Sequence, residues 1–270
     1  MKFSKLKNLL AAALIVYLLF GVTSCGSAAG GKVIILMYHD FRVDRLDDDD
    51  DDLYVTTDVK FLQDMRALSD LGYSSLNLEK YYEGGYKKNK NYFILTVDDG
   101  YISNYTVLFP ILAENKIYAD IFMCTEDDVR PNHFKYADAK KMEESGYVKI
   151  YSHLTKHMDA TELELDEFLS VAEKSYDYLN TRISGGRLKM TAYPHGLYNR
   201  ETVEALYERG TVFQLVQNKI DANAADGAAD GGGDTEWNAS DFGVLYRVNV
   251  EHRADMPRLI EYYISQYCAE

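Results

Sequence analysis

Cysteine is nearly absent. Three occur in 270 residues, Cys25, Cys124 and Cys268, far too few for a disulfide scaffold even in an oxidising compartment. Basic side chains are also scarce: 29 Lys and Arg stand against 43 Asp and Glu, a net charge of −14. Such a surface repels nucleic acid, and nucleic-acid functions are excluded on that ground. No Pro- or Ser-rich linker divides the chain, so one domain is expected. The N-terminal apolar run, Leu9 to Phe20, is short for a membrane-spanning helix.

That run instead has the layout of an export signal. Lys2, Lys5 and Lys7 precede it as a basic region, and Val22-Thr23-Ser24-Cys25 follows it. The latter resembles the bacterial lipobox, in which a small residue precedes a cysteine that is lipidated and becomes the new N-terminus. The expectation is a lipoprotein signal peptide over residues 1–24, a lipidated tether over 25–31 and a folded domain over 32–270, with an ordinary cleaved signal as the alternative. A lipid on Cys25 would hold the protein as an extracytoplasmic, membrane-anchored lipoprotein at the cell surface. Residues 1–24 carry three lysines and no acidic residue, so their removal leaves 26 basic and 43 acidic side chains and a net charge of −17.

The remainder alternates short apolar runs with amphipathic stretches, a βαβα pattern that predicts a parallel sheet or barrel covered by helices. Strands are expected at Val33–Tyr38, Phe93–Val97, Ile117–Met123, Val148–Tyr151, Lys189–Tyr193, Thr211–Val216 and Val244–Val250. After Thr57, apolar residues Phe61, Leu62, Met65, Leu68 and Leu71 recur at helical spacing up to Gly72. Thr161 and Glu164 have capping-box spacing ahead of Leu165, Phe168, Leu169, Ala172, Tyr176 and Leu179. Asp47 to Asp52 is an unbroken aspartate run and Asp221 to Thr235 is rich in Ala, Gly and Asp. Both read as solvated, flexible segments without chemistry, with a calcium site as the alternative for the aspartate run.

Placed on this map, the unusual polar residues gather. His39 follows the first strand, Asp98 and Asp99 the second, His153 and His157 the fourth, and Tyr193-Pro194-His195-Gly196 the fifth. In a β/α barrel the C-terminal strand ends converge on one face, where active sites are built. Successive strand residues point to opposite faces, so both carboxylates address one site only if the chain turns, and Gly100 permits the turn. His153 and His157 are spaced i, i+4, which on a helical turn puts both imidazoles on one side. One carboxylate and two imidazoles suit a divalent cation and leave positions open for water and a substrate oxygen. The other aspartate is then free to act as a base. Cys124 ends an apolar run and reads as a buried thiol.

At these residues the sequence resembles the polysaccharide deacetylase family, also called the NodB-homology family or carbohydrate esterase family 4. Thr96-Val97-Asp98-Asp99-Gly100 is similar to its T-F-D-D-G motif, Ser152-His153-Leu154-Thr155-Lys156-His157 to S-H-[ST]-x-x-H, and Tyr193-Pro194-His195-Gly196-Leu197-Tyr198-Asn199 to Y-P-Y-G-x-Y-N. Leu36-Met37-Tyr38-His39, with Phe61, Met65, Leu68 and Gly72-Tyr73, resembles the branch of poly-N-acetylglucosamine deacetylases.

The resemblance implies a distorted (β/α)7 TIM-like barrel and a hydrolase that removes N-acetyl groups from a cell-wall or extracellular N-acetylglucosamine polymer. It implies Asp98 as general base, with Asp99, His153 and His157 holding a divalent metal, zinc foremost and cobalt or manganese as alternatives. Tyr193, Pro194 and His195 would touch substrate. The general acid falls to His39, with His252 of Val250-Glu251-His252 as the alternative. Val97, Leu154 and His195 depart from the family pattern. An arginine that often precedes the proline motif and orients the base is missing; Arg247, on a late strand, is the substitute considered. Two other functions are weighed: a catalytically weakened, glycan-binding surface lipoprotein, and an esterase acting on O-acetyl groups.

Overall fold

A computed structural model describes residues 30–43, 52–217 and 238–267. The signal-peptide segment, Cys25, Cys268, nearly all of the aspartate run and the Asp221–Thr235 segment lie outside these residues. Within them, parallel strands order as β10-β9-β8-β7-β6-β5-β1-β11, with β4 also on β5, in one nine-stranded sheet. The strands are β1 (Val33–Tyr38), β4 (Tyr73–Leu76), β5 (Asn91–Val97), β6 (Ala119–Met123), β7 (Val148–Ser152), β8 (Lys189–Ala192), β9 (Thr211–Val216), β10 (Val244–Tyr246) and β11 (Val248–Asn249). A separate short pair joins β2 (Asp40–Arg42) to β3 (Val55–Thr57).

The sheet curls into a nearly closed barrel. β10 lies on β9 and β11 lies on β1, so the last expected strand is split in two and bridges the two edges. Arg247 sits at the split, where its backbone N–H donates to the carbonyl of Val216 at 3.0 Å. Side chains alternate along each strand. Val33, Ile35, Ile94, Phe122, Tyr151, Met190, Ala192, Phe213 and Leu215 pack together as one core inside the barrel. Ile34, Leu36, Leu95, Val97, Ile121 and Ile150 form another with Phe61, Leu68, Leu112, Ala139 and Met142 of the outer helices.

Helices cover the outside: α1 (Asp58–Asp70), α2 (Leu78–Tyr82), α3 (Phe109–Asn115), α4 (Tyr136–Glu144), α5 (Leu165–Arg182), α6 (Arg200–Glu208) and α7 (Met256–Tyr267). Among the described residues no helix is long and apolar enough to cross a membrane. Helix α1 begins as its sequence indicates, the Thr57 side chain accepting from the Lys60 backbone N–H. Gly72 follows its end at φ 81°. The expected capping box of α5 does not form: Thr161 lies in a separate 3₁₀ turn capped by Asp159, and Glu164 precedes α5 without a side-chain cap bond.

Candidate active site

From Ile94 the inward alternation of β5 places Thr96 and then Asp98 on the inner side of the barrel mouth. The Asp98 backbone N–H still donates to Tyr38 at 3.0 Å, extending the β1 ladder by one bond. The chain then turns sharply, with φ 72° at Asp99 and 83° at Gly100. A Cβ at Gly100 would stand 2.9 Å from Cβ of Met123, so glycine is required there by both conformation and space. The turn swings Asp99 toward the end of β7.

His153 and His157 meet Asp99 there, although not on a helix. Residues 153–159 are an irregular loop in which Leu154 adopts φ 63°, so the i, i+4 helical turn expected from the spacing is corrected. The loop is tied down by His153 N–H donating to Met123 at 3.0 Å and Leu154 N–H donating to the Ser152 hydroxyl at 3.1 Å. Nδ1 of His153 lies 2.8 Å from the carbonyl of Ala192. A carbonyl only accepts, so Nδ1 carries a proton and Nε2 is the ring atom directed at Asp99. Nε2 of His153 and of His157 lie 3.4 and 3.5 Å from Oδ1 of Asp99, and one donor atom from each of the three residues falls within 4.8 Å of the others.

This trio fits a cation. Oδ1 of Asp99 is buried and has no hydrogen-bond partner, an arrangement that costs free energy unless a positive charge is shared with it. Burial would raise the Asp99 carboxyl, but His153, His39 and His157 outweigh it and hold the group well below the usual range. Burial and the neighbouring His153 lower His157 to about 4, so its imidazole is neutral and its lone pair available at neutral pH.

Beside the trio stands a buried ion pair. Arg247 Nη1 and Nη2 donate to Oδ1 and Oδ2 of Asp98 at 2.6 and 2.7 Å, and Nη1 also reaches the Thr96 hydroxyl at 3.2 Å. Arg247 is wholly buried, its guanidinium 5.7 Å from the Phe122 ring centroid. Burial alone would raise the Asp98 carboxyl; the guanidinium, with His153, more than offsets this and keeps it ionised. His39 faces the same carboxylates: burial, with Arg247 and His153, holds it below the usual imidazole value against the upward pull of Asp98 and Asp99. Its ring meets that of Tyr54 edge-on with centroids 4.7 Å apart. His252 lies on another contact, its Nε2 accepting from Nε of Arg253 at 3.0 Å.

The third expected group is placed unevenly. Tyr193 is 1% exposed, stacks on Phe168 and donates its hydroxyl to Gln214 at 2.6 Å. Pro194 is buried as well. Both side chains are packed into the interior. Only His195, exposed and at φ 58°, turns to the site, its ring 4.3 Å from that of His157. Cys124 is a buried free thiol.

Two tyrosines at the mouth escape a reading of the sequence. Tyr54 is placed by the β2–β3 pair, and Tyr101, its ring tilted against that of His133, neighbours Asp99. Among 23 tyrosines composition singles out neither; the position of Tyr101 directly after Asp-Asp-Gly was the one available signal.

Residues 85–213 match the family model described as polysaccharide deacetylase, a stretch that includes Asp98, Asp99, His153 and His157 but neither His39 nor Arg247. An inferred polysaccharide deacetylase of Bacillus subtilis is 26% identical over 185 residues, 66% of this chain and 62% of that protein. Among solved structures, the Streptococcus pyogenes deacetylase in complex with acetate is similar with a TM-score of 0.70 and 22% identity, over 85% of this chain and 96% of that one. IcaB from Ammonifex degensii is similar with a TM-score of 0.66 and 19% identity, over 88% and 98%. The de-N-acetylase from Aggregatibacter actinomycetemcomitans gives a TM-score of 0.69 at 15% identity, over 85% and 99%. At these identities the structures establish a shared barrel, and with the match in sequence they make the chain a homologue of the polysaccharide deacetylases, carrying a polysaccharide deacetylase domain over residues 85–213.

Proposed function

We propose that the protein is a divalent-metal-dependent deacetylase that hydrolyses N-acetyl groups of an N-acetylglucosamine polymer outside the cytoplasm, held to the membrane through Cys25. The observation that carries this reading is the juxtaposition of Asp99, His153 and His157, with donors within 4.8 Å of one another, and a second carboxylate fixed by a buried arginine beside them. A glycan-binding module has no use for both.

Asp99, His153 and His157 would hold the cation, which supplies Lewis acidity that eases the ionisation of a water and polarises an acyl oxygen. One carboxylate and two imidazoles suit zinc, with cobalt or manganese as alternatives. Asp98 accepts the proton of the attacking water; each of its oxygens keeps a lone pair beyond the one directed at Arg247. Arg247 fixes the plane of that carboxylate. As the carbon–nitrogen bond breaks, His39 delivers a proton to the leaving amine. Exposed His195 stands at the rim, placed to touch the sugar.

The test is acetate release from chitooligosaccharides, with and without a chelator. Turnover lost with chelator and restored by zinc, cobalt or manganese is expected. Glycan binding without acetate release, or acetate released only from O-acetyl esters, would refute the reading.

A further inference from the structure

Although the chain is strongly acidic, no acidic residue occurs between Gly84 and Val97, where Lys87, Lys88 and Lys90 lie in an exposed loop. The loop is at the N-terminal end of β5, the end of the barrel opposite the mouth. Lys32, at the start of β1, stands beside it: the Lys32 backbone N–H donates to Oδ1 of Asn91 at 2.9 Å, and the Tyr92 N–H donates to Lys32 at 2.8 Å. The Gly31 N–H donates to the carbonyl of Lys88 at 2.6 Å, so the chain enters the barrel through this edge. Aromatic rings carry the ammonium groups, Lys88 Nζ standing 3.9 Å from the Tyr86 centroid and Lys80 Nζ 4.0 Å from that of Tyr118. At the opposite end lie Asp98, Asp99, Glu126, Asp127, Asp128 and Asp159.

We propose that this lysine edge, built on Lys32, Lys80, Lys87, Lys88 and Lys90, rests on an anionic lipid surface and thereby turns the acidic catalytic mouth away from the membrane. An anionic bilayer attracts the edge and repels the mouth, so the charge asymmetry sets an orientation even though the net charge is negative. Geometry supplies the proximity. Four residues separate Cys25 from the first described residue, Gly30, and that stretch of five steps spans at most about 18 Å. The proposal rests on the membrane attachment put forward above; the deacetylase chemistry is independent of it.

The test is lysine footprinting of the full chain, by amine acetylation and mass spectrometry, with vesicles of phosphatidylcholine alone or with phosphatidylglycerol. Co-purification of the chain with lipid reads attachment separately, and footprinting is carried out whether or not the chain co-purifies. Acetylation of Lys87, Lys88 and Lys90 is expected to slow by about tenfold with the anionic lipid, while Lys156, 62% exposed by its side chain near the mouth, is unaffected. In K87E/K88E/K90E, Lys32 and Lys80 should lose their dependence on anionic lipid, with turnover of a soluble chitooligosaccharide unchanged. Equal rates in the two lipids, slowing at Lys156 instead, or slowing by soluble poly(glycerol phosphate) but not by anionic vesicles would overturn the proposal.

Discussion

Asp98 is 3% exposed and Arg247 is fully buried, so each charge is tolerated only because of the other. This dependence shapes what a substitution reports. Asp98→Asn removes the proton acceptor, and turnover should fall by a factor of about 100 or more, while cation content stays near that of the parent because Asp98 is not in the trio. It also leaves Arg247 as an uncompensated buried charge, which costs about 3–5 kcal/mol when a pair is broken from one side. A drop in melting temperature is therefore expected alongside the loss of activity. The double variant Asp98→Asn/Arg247→Met removes both charges and should regain much of the stability without regaining turnover. Recovery of activity with stability would show that Asp98 serves the fold and not the reaction.

At the scale of elements, β6 carries a buried acid outside the site. Asp120 is 0% exposed, accepts from the Leu78 backbone N–H at the start of α2 at 2.8 Å, and has no partner at Oδ1. Burial, against the pull of that N–H, raises its carboxyl to about 8. In the unfolded chain it titrates near 3.9. Between about 4 and about 8 the unfolded state thus releases a proton that the folded state keeps, and stability falls as pH rises through that window, by an order of a few kcal/mol. Asp120→Asn retains the acceptor and removes the titration. Urea midpoints measured at pH 5 and pH 8 should separate clearly for the parent and much less for the variant; equal separations would rule out Asp120 as the cause.

The same elements show what the sequence discloses. Val33–Tyr38 is uniformly apolar because both faces are buried, and Thr211–Val216 departs from that only at Thr211 and Gln214, so both are legible with their ends. Tyr73–Leu76 is not, since two serines interrupt it and its ladder to β5 is the only reason it is extended. The β2–β3 pair and the break at Arg247 are likewise tertiary, set by which edges must meet. In the site, the identity of Asp99, His153 and His157 as neighbours is visible from residue type and strand-end position, whereas the means of bringing them together is not. Positive φ at Asp99 and Leu154, held by backbone bonds to β6 and Ser152, replaces the helix that spacing suggests. The direction of the Tyr193 ring is hidden for a related reason: its place after a strand says nothing of which way the ring turns, and Gln214 and Phe168 draw it inward.

Across the whole molecule, the trio exists only when the barrel is closed. Asp99 is delivered by the end of β5 and both histidines by the end of β7, while the carbonyl that orients His153 belongs to Ala192 of β8. Unfolding disperses all of these, so a cation bound to the folded chain has little counterpart in the unfolded one and must stabilise the fold by mass action. At a free zinc concentration about 100 times the dissociation constant the gain is about 2.7 kcal/mol, or roughly 5–10 °C in melting temperature for a domain of this size. The parent should show that rise in a calorimetric scan with zinc and lose it with chelator, and His153→Ala, lacking one of three donors, should show little of it. A rise of the same size in His153→Ala would mean that the stabilising cation binds elsewhere, because among the described residues Asp99, His153 and His157 form the group of three donors close enough to share an ion.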